Sequence, residues 1–241
     1  MIKNIIIPKY NDHGVFLRKI RSFVVRNKKL NLSDNRIIKN IFPIMGFMFK
    51  KEIIIFNKIF NNSLPVILEI GFGTGKTLVD TAFKNQNKNF LGIEVHKNSI
   101  VKCLKYAYLK NITNLKIIYH DAEEVVNYMI KNKSLSVVQL FFPDPWHKKR
   151  HHKRRILKKN FVNLILKKLI IGGILHIATD CQNYADNIID VINGIPGYKN
   201  LSKNNTYIER PEYRPVTKFE KKAIFFNNVV FDLIFKKITE Y

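Results

Sequence analysis

Glu69-Ile70-Gly71-Phe72-Gly73-Thr74-Gly75-Lys76-Thr77 is the stretch on which the fold turns. Its right half ends in Gly-Lys-Thr, the tail of a nucleoside triphosphate loop, while its left half sets an acid before three alternating glycines. A triphosphate loop needs a glycine, four residues and then Gly-Lys-Ser/Thr, so that backbone amides wrap the phosphates. Counting back from Gly75, that first glycine falls on Ile70, and the loop is one residue short. The dinucleotide fingerprint Gly-x-Gly-x-x-Gly is missed as well, because Gly71, Gly73 and Gly75 alternate strictly. A carboxylate at Glu69 would repel a pyrophosphate but suits a ligand carrying ammonium and sulfonium charges.

Around this loop, strand-like and helix-like runs alternate. Pro65–Ile70 is a short apolar run that ends in the glycines; Asn89–Val95, Asn114–Tyr119, Leu135–Phe142 and Gly173–Thr179 are further strand candidates. Between them, Asn98–Leu109, Ala122–Ile130, Lys153–Leu169 and Cys181–Ile192 carry helical periodicity. This rhythm predicts an α/β fold, a parallel sheet with helices on both faces. In such sheets the ligand crevice lies at the carboxyl ends of the strands. Acids stand there in succession: Glu69 after the first strand, Glu94 after the second, Asp121 after the third. Glu94 occupies the place of an acid that receives ribose hydroxyls, and Asp121 is placed to accept from an exocyclic amine. Amine, ribose and base, each with an acid nearby, describe S-adenosylmethionine. Asp121 also precedes a helical run and would cap it well, so a purely local role stays open for it.

Of the 241 residues, 42 are Lys or Arg and 18 Asp or Glu, a net charge of +24 that attracts polyanions, nucleic acid first among them. The chain is also crowded with Lys, Asn, Ile and Phe, as an A+T-rich genome would make it, so clustering is the better test. The texture changes near Asn61-Asn62-Ser63: residues 1–62 read as a basic N-terminal extension, and residues 63–241 as the α/β domain. Within the extension, Val15, Phe16, Ile20, Phe23 and Val24 recur at helical spacing among Arg18, Lys19, Arg21 and Arg26. No apolar run approaches the ~18 residues of a membrane span. The start lacks an export signal, and Cys103 and Cys181 encode neither a disulfide framework nor a metal site. A cytoplasmic protein with no membrane and no metal partner is expected.

The fourth strand runs into Phe141-Phe142-Pro143-Asp144-Pro145-Trp146, where flanking prolines restrict the backbone and aim Asp144 into the crevice. Directly after it comes His147-Lys148-Lys149-Arg150-His151-His152-Lys153-Arg154-Arg155, six permanent cations and three histidines in nine residues. Engaged on phosphates, six charges would give a log–log salt slope of roughly −4 to −5. The histidines lack the acid or cysteine partners of a metal site.

Together, LEIGFGTGK, GIEVHK, HDAEE, FFPDPWHKKRHHKRR and the late RPVTKFEKKA resemble the bacterial tRNA (guanine-N7)-methyltransferase family over nearly the whole chain, including Arg21–Arg26 in the extension. PDPW with its basic run and RPVTKFE are specific to that family; the glycine loop is common to methyltransferases. The resemblance implies a seven-stranded Rossmann-like fold, S-adenosylmethionine as cofactor, and methylation of N7 of the guanosine at position 46 in the tRNA variable loop. Carried over by position, Glu69, Gly71, Gly73, Glu94, Asp121 and Asp144 would contact the cofactor, with Asp144 as the catalytic residue. Lys148, Asp180, Thr217, Lys218, Phe219 and Glu220 would face the substrate, and Arg150, His151, His152, Lys153, Arg154 and Arg155 the RNA. His147 and Lys222-Ala223 depart from the family pattern. Two other functions stay open: an exocyclic-amine methyltransferase acting on adenine, whose loop Asp144-Pro145-Trp146 nearly matches, and an RNA-binding protein on a non-catalytic methyltransferase fold. Thr217–Glu220 also reads as a strand-entry turn closed by Lys218 against Glu220.

Overall fold

The structure is a computed structural model that describes residues 12–13, 20–25 and 29–240. In chain order its elements are α1 (Leu32–Asn40), α2 (Phe42–Met45), β1 (Gly46–Met48), α3 (Phe56–Phe60), β2 (Val66–Ile70), α4 (Lys76–Lys84), β3 (Asn89–Glu94), α5 (Lys97–Leu109), β4 (Leu115–Tyr119), α6 (Ala122–Tyr128), β5 (Leu135–Phe141), a 3-10 helix (Lys149–Arg154), α7 (Lys159–Lys168), β6 (Leu169–Thr179), α8 (Gln182–Asn193), β7 (Tyr198–Asn200), α9 (Lys218–Phe225) and β8 (Phe231–Lys237).

One sheet runs in the order β1-β4-β3-β2-β5-β6-β8-β7. Strands β1 to β6 pair in parallel, and β8 inserts antiparallel between β6 and β7. The chain steps outward from β2 through β3 to β4, then returns across β2 to start β5. That reversal puts the ligand crevice over the carboxyl ends of β2, β3 and β5.

Side chains alternate across the sheet as strand geometry requires. Leu68, Ile70, Leu91, Ile93, Val138 and Leu140 face α6, α7 and α8, while Ile67, Phe90 and Ile117 pack with α4 and α5 on the opposite face. Both faces are covered, which is why the central strands read as continuous apolar runs.

The sheet has eight strands where seven are implied by the resemblance. The eighth is β1, three residues from the segment ahead of residue 63, whose Gly46–Met48 pair with Ile117–Tyr119 and cover the open edge of β4. Three residues are too few for a periodicity to register, so only tertiary pairing reveals the strand. The helical run expected over Lys153–Leu169 is split: the 3-10 helix ends at Arg154, Arg155 is extended (φ −53°, ψ 132°), and α7 starts at Lys159. The amphipathic pattern from Val15 to Arg26 falls partly outside the described residues, and its described part, residues 20–25, forms no helix.

Candidate functional site

The glycine arc divides by task. All three glycines have positive φ, 75° at Gly71, 58° at Gly73 and 73° at Gly75, a region a side chain enters at a cost. A Cβ on Gly75 would collide with the Cys103 side chain, so this glycine lets α4 close against α5. A Cβ on Gly71 or Gly73 would meet nothing within 4 Å; these two face open space at the head of the crevice. Lys76 and Thr77 lie in the first turn of α4, with Lys76 Nζ over the Tyr106 ring at 5.7 Å.

Glu69 and Glu94 end adjacent strands and are 6% and 5% exposed. Glu94 is heavily engaged: Gly73 N donates to Oε2 at 2.9 Å, and Val95 N and His96 N donate to Oε1 at 2.7 and 3.0 Å. The carboxylate thus holds the glycine arc to the end of β3, with acceptor capacity left chiefly on Oε2. Burial nevertheless raises its pKa above the ordinary value. Burial, and then the charge of Glu94, push Glu69 up to about 8. A buried acid beside a second acid is a site in deficit of positive charge. The same burial and the two carboxyls push the Cys103 thiol up, away from nucleophile chemistry.

Asp121 is 2% exposed and works in two directions. Its Oδ1 accepts Glu123 N at 3.0 Å and caps α6, while its Oδ2 takes Arg21 Nη1 at 2.8 Å. Next to Arg21, Ser22 O accepts the indole N–H of Trp146 at 3.2 Å. Residues 21–22 therefore bridge the acid after β4 and the turn after β5. A cleft of about 620 Å³ opens beyond Arg21 between α6 and α7, lined also by Lys51, Lys158 and Glu124.

The turn after β5 is held by side chains rather than by ladder bonds, since two prolines withhold their amides. Phe142 (φ 54°) and Trp146 (φ 52°) flank it in a backbone region that is costly for bulky residues. Arg155 fastens it: Nε donates to Pro145 O at 2.9 Å, Nη2 to Asn183 Oδ1 at 2.7 Å, and the guanidinium lies 4.7 Å over the Tyr184 ring. At 4% exposed, Arg155 clamps this turn from within, where the resemblance implies a contact with RNA. Its last position in the run places it where the chain turns inward toward α7. Arg154 stacks on Trp146 at 5.0 Å, and His151 meets the same indole edge-on at 5.9 Å. Burial and the surrounding cations Arg150, Arg154, Lys148 and Lys153 lower the His151 pKa. His152 Nε2 accepts from Arg155, and Lys148, Lys149, Arg150 and Lys153 stand exposed. Asp144 and Asp180 are exposed at the ends of β5 and β6.

The late segment opens a helix instead of entering a strand. Thr217 Oγ1 accepts Glu220 N at 3.0 Å as the N-cap of α9, and Glu220 pairs with Arg214 where the turn reading had Lys218. The buried side chains of Thr217 and Glu220 brace the segment from within, where the resemblance implies the substrate side; Lys218 and Phe219 remain exposed. Arg214, missed in the sequence, is fully buried, forks onto Glu220 and also pairs with Asp232. Asp232 Oδ1 accepts from His176 Nε2 at 2.7 Å, and His176 Nδ1 accepts from Tyr213 Oη at 3.3 Å. Burial lowers the His176 pKa against the opposing pull of the Asp232 carboxylate, and so favours a neutral imidazole that donates from Nε2. The available signal was Asp232 inside the apolar strand Phe231–Phe235, since a buried charge needs a partner. Tyr213 in turn lines a small cleft of about 90 Å³ with Glu69, Gln139 and Phe141.

Among the described residues no group of three His, Cys, Asp or Glu side chains gathers as a metal site, and no helix is long and apolar enough to cross a membrane. The fold is similar to that of the 16S rRNA methyltransferase KamB, with a TM-score of 0.58 at 15% identity over 77% of this chain and 93% of that one. It also matches an rRNA methylase from Streptococcus thermophilus, with a TM-score of 0.50 at 14% identity over 74% and 89% of the two chains. A family model described as "Putative methyltransferase" covers residues 63–233. The tRNA (guanine-N(7)-)-methyltransferase of Buchnera aphidicola subsp. Acyrthosiphon pisum (strain Tuc7) is 53% identical over 98% of this chain and 99% of its own length. The enzyme of the same name from Salmonella choleraesuis (strain SC-B67) is 46% identical over 99% and 100%. With its fold, its ring of strand-end acids and this similarity along its whole length, the chain belongs to the tRNA (guanine-N(7)-)-methyltransferase family.

Proposed function

We propose that the protein transfers the methyl group of S-adenosylmethionine to N7 of the guanosine at position 46 in the variable loop of tRNA, leaving 7-methylguanosine. The observation that carries this reading is the buried, charge-deficient pair Glu69 and Glu94 beneath an open glycine arc, a few residues of strand away from an exposed Asp144 and its basic run. Bound there, S-adenosylmethionine supplies a methyl group activated by a sulfonium charge. Glu69 answers its positive charges, Oε2 of Glu94 has capacity for a ribose hydroxyl, and Asp121 accepts from the adenine amine, sharing or exchanging Arg21.

N7 of guanine has an in-plane lone pair and no proton. That pair forms the new N–C bond while the methyl–sulfur bond breaks and leaves its electrons on sulfur; no proton moves and the positive charge passes to the purine. A strong base is unnecessary, and alignment supplies most of the acceleration. Asp144 would accept from guanine N1–H and the exocyclic amine and offset the charge developing on the ring. Lys148, Asp180 and Lys218 flank the base, while Arg150, Lys153 and Arg154 with His151 and His152 meet phosphates. Residues 63–241 form the catalytic domain and residues 1–62 its basic extension; acting on tRNA, the protein works in the cytoplasm. Incubation with methyl-labelled S-adenosylmethionine and unmodified tRNA, followed by mapping of the alkali-sensitive nucleotide, tests the reading. Label at the variable-loop guanosine is expected; label on an adenine amine, or none, overturns it.

A further inference from the structure

Phe142 and Phe219 form a stacked pair with centroids 6.1 Å apart and planes 21° from parallel. Phe219 is 59% exposed, although Thr217 and Glu220 around it are buried in the cap of α9 and in the Arg214 ion pair. An aromatic ring mounted on so rigid a base and left in water contributes little to the core. Phe142 holds φ 54° while its N–H still donates to Ala178 O at 2.8 Å, so the end of β5 keeps it in a costly conformation, two residues before Asp144. We propose that these two rings are the receptor for the target guanine, which stacks on them with its N1 and exocyclic-amine edge toward Asp144, and that their faces stabilise the positive charge gained on N7 methylation. This rests on the function proposed above and goes beyond it by naming how the base is held.

Two van der Waals gaps of roughly 3.5 Å require ring planes about 7 Å apart. The centroid distance of 6.1 Å is an upper limit on the present spacing of the planes, so the exposed Phe219 side chain has to swing outward to admit a purine. The face of an aromatic ring carries negative potential and attracts a cation more than a neutral ring. Since the purine is neutral before transfer and cationic after it, the rings bind the transition state more tightly than the substrate, which is the condition for raising the rate.

The test is single-turnover methylation of tRNA at saturating S-adenosylmethionine by Phe219→Leu, Phe219→Ala and Phe219→Tyr, with tRNA Kd measured beside it. Leucine keeps the apolar bulk and removes the π face; exposure of the site keeps all three folded, which an unchanged Tm checks. Expected are a rate at least tenfold lower for Leu and Ala, a rate within threefold of wild type for Tyr, and tRNA Kd within threefold throughout, because the basic run carries that affinity. As a second readout, 7-methylguanosine 5′-monophosphate should inhibit the wild type at least tenfold more strongly than guanosine 5′-monophosphate, and Phe219→Leu should lose this preference. A Leu variant at the wild-type rate, or an inhibitor preference untouched by it, overturns the aromatic receptor alone. A wild-type protein that methylates no tRNA guanine overturns the underlying function instead.

Discussion

Glu69, Glu94 and Asp121 end β2, β3 and β4 almost wholly buried, whereas Asp144 and Asp180, following β5 and β6, stand exposed. One sheet edge thus carries two kinds of acid. The buried ones already suffer desolvation, which raises Glu69 and Glu94, and only a cation small enough to enter can relieve it. The exposed ones stay open to solvent. On the proposed function, the difference teaches that the small ligand's half of the crevice is built in advance, and that the RNA would complete the other half.

The sharpest way to break this comparison is Asp144→Asn. Turnover should fall by about 10²–10³-fold with tRNA affinity nearly kept; equal loss of both in binding and single-turnover assays would make Asp144 a purely structural residue. Glu69→Gln strikes the other half: S-adenosylmethionine affinity should drop about ten- to a hundredfold with tRNA binding unchanged. Because a cation favours ionised Glu69, whose pKa is near 8 without ligand, affinity of the wild type should rise with pH up to about 8. Calorimetry in buffers of different ionisation enthalpy should then detect about one proton released per ligand at pH 7, and absence of release would place Glu69 outside the site.

Arg155→Met tests whether the last cation of the run is a clamp. Loss of its bonds to Pro145 and Asn183 should lower kcat by about tenfold or more through misplacement of the turn, and lower Tm, while the salt slope of tRNA binding stays fixed. Arg150→Gln and Lys153→Gln should do the reverse, each shrinking that slope by about 1 with kcat at saturation preserved. The smallest effect concerns stability. Glu69 binds its proton more tightly folded than unfolded, so wild-type stability is eroded as pH rises from about 4.5 toward 8. Ligand-free Glu69→Gln, which cannot ionise, should therefore melt a few degrees above wild type at pH 8, with the gap closing below pH 5.

Much of the site was legible because its residues are consecutive. The glycine arc, the acids one per strand end, and Pro143-Asp144-Pro145 each declare a local backbone task. The burial of Arg155 was not legible because charge is a property of composition, while burial depends on where α8 puts Asn183 and Tyr184. Arg214 and Glu220 were opaque for the same reason: the partners Asp232 and His176 come from β8 and β6, and only pairing of those strands brings them together. Phe219 was marked by family resemblance, but its stacking on Phe142 belongs to the fold.

By itself, then, the chain's sequence determined the alternation of strands and helices, the parallel sheet, and the acids on its carboxyl rim, because hydrophobic period and turn chemistry are local. Tertiary structure alone decided that Gly46–Met48 adds an eighth strand, which acids are dry and which wet, and which arginines face solvent. Those properties depend on solvent access, and access is set by neighbours that are distant in the chain.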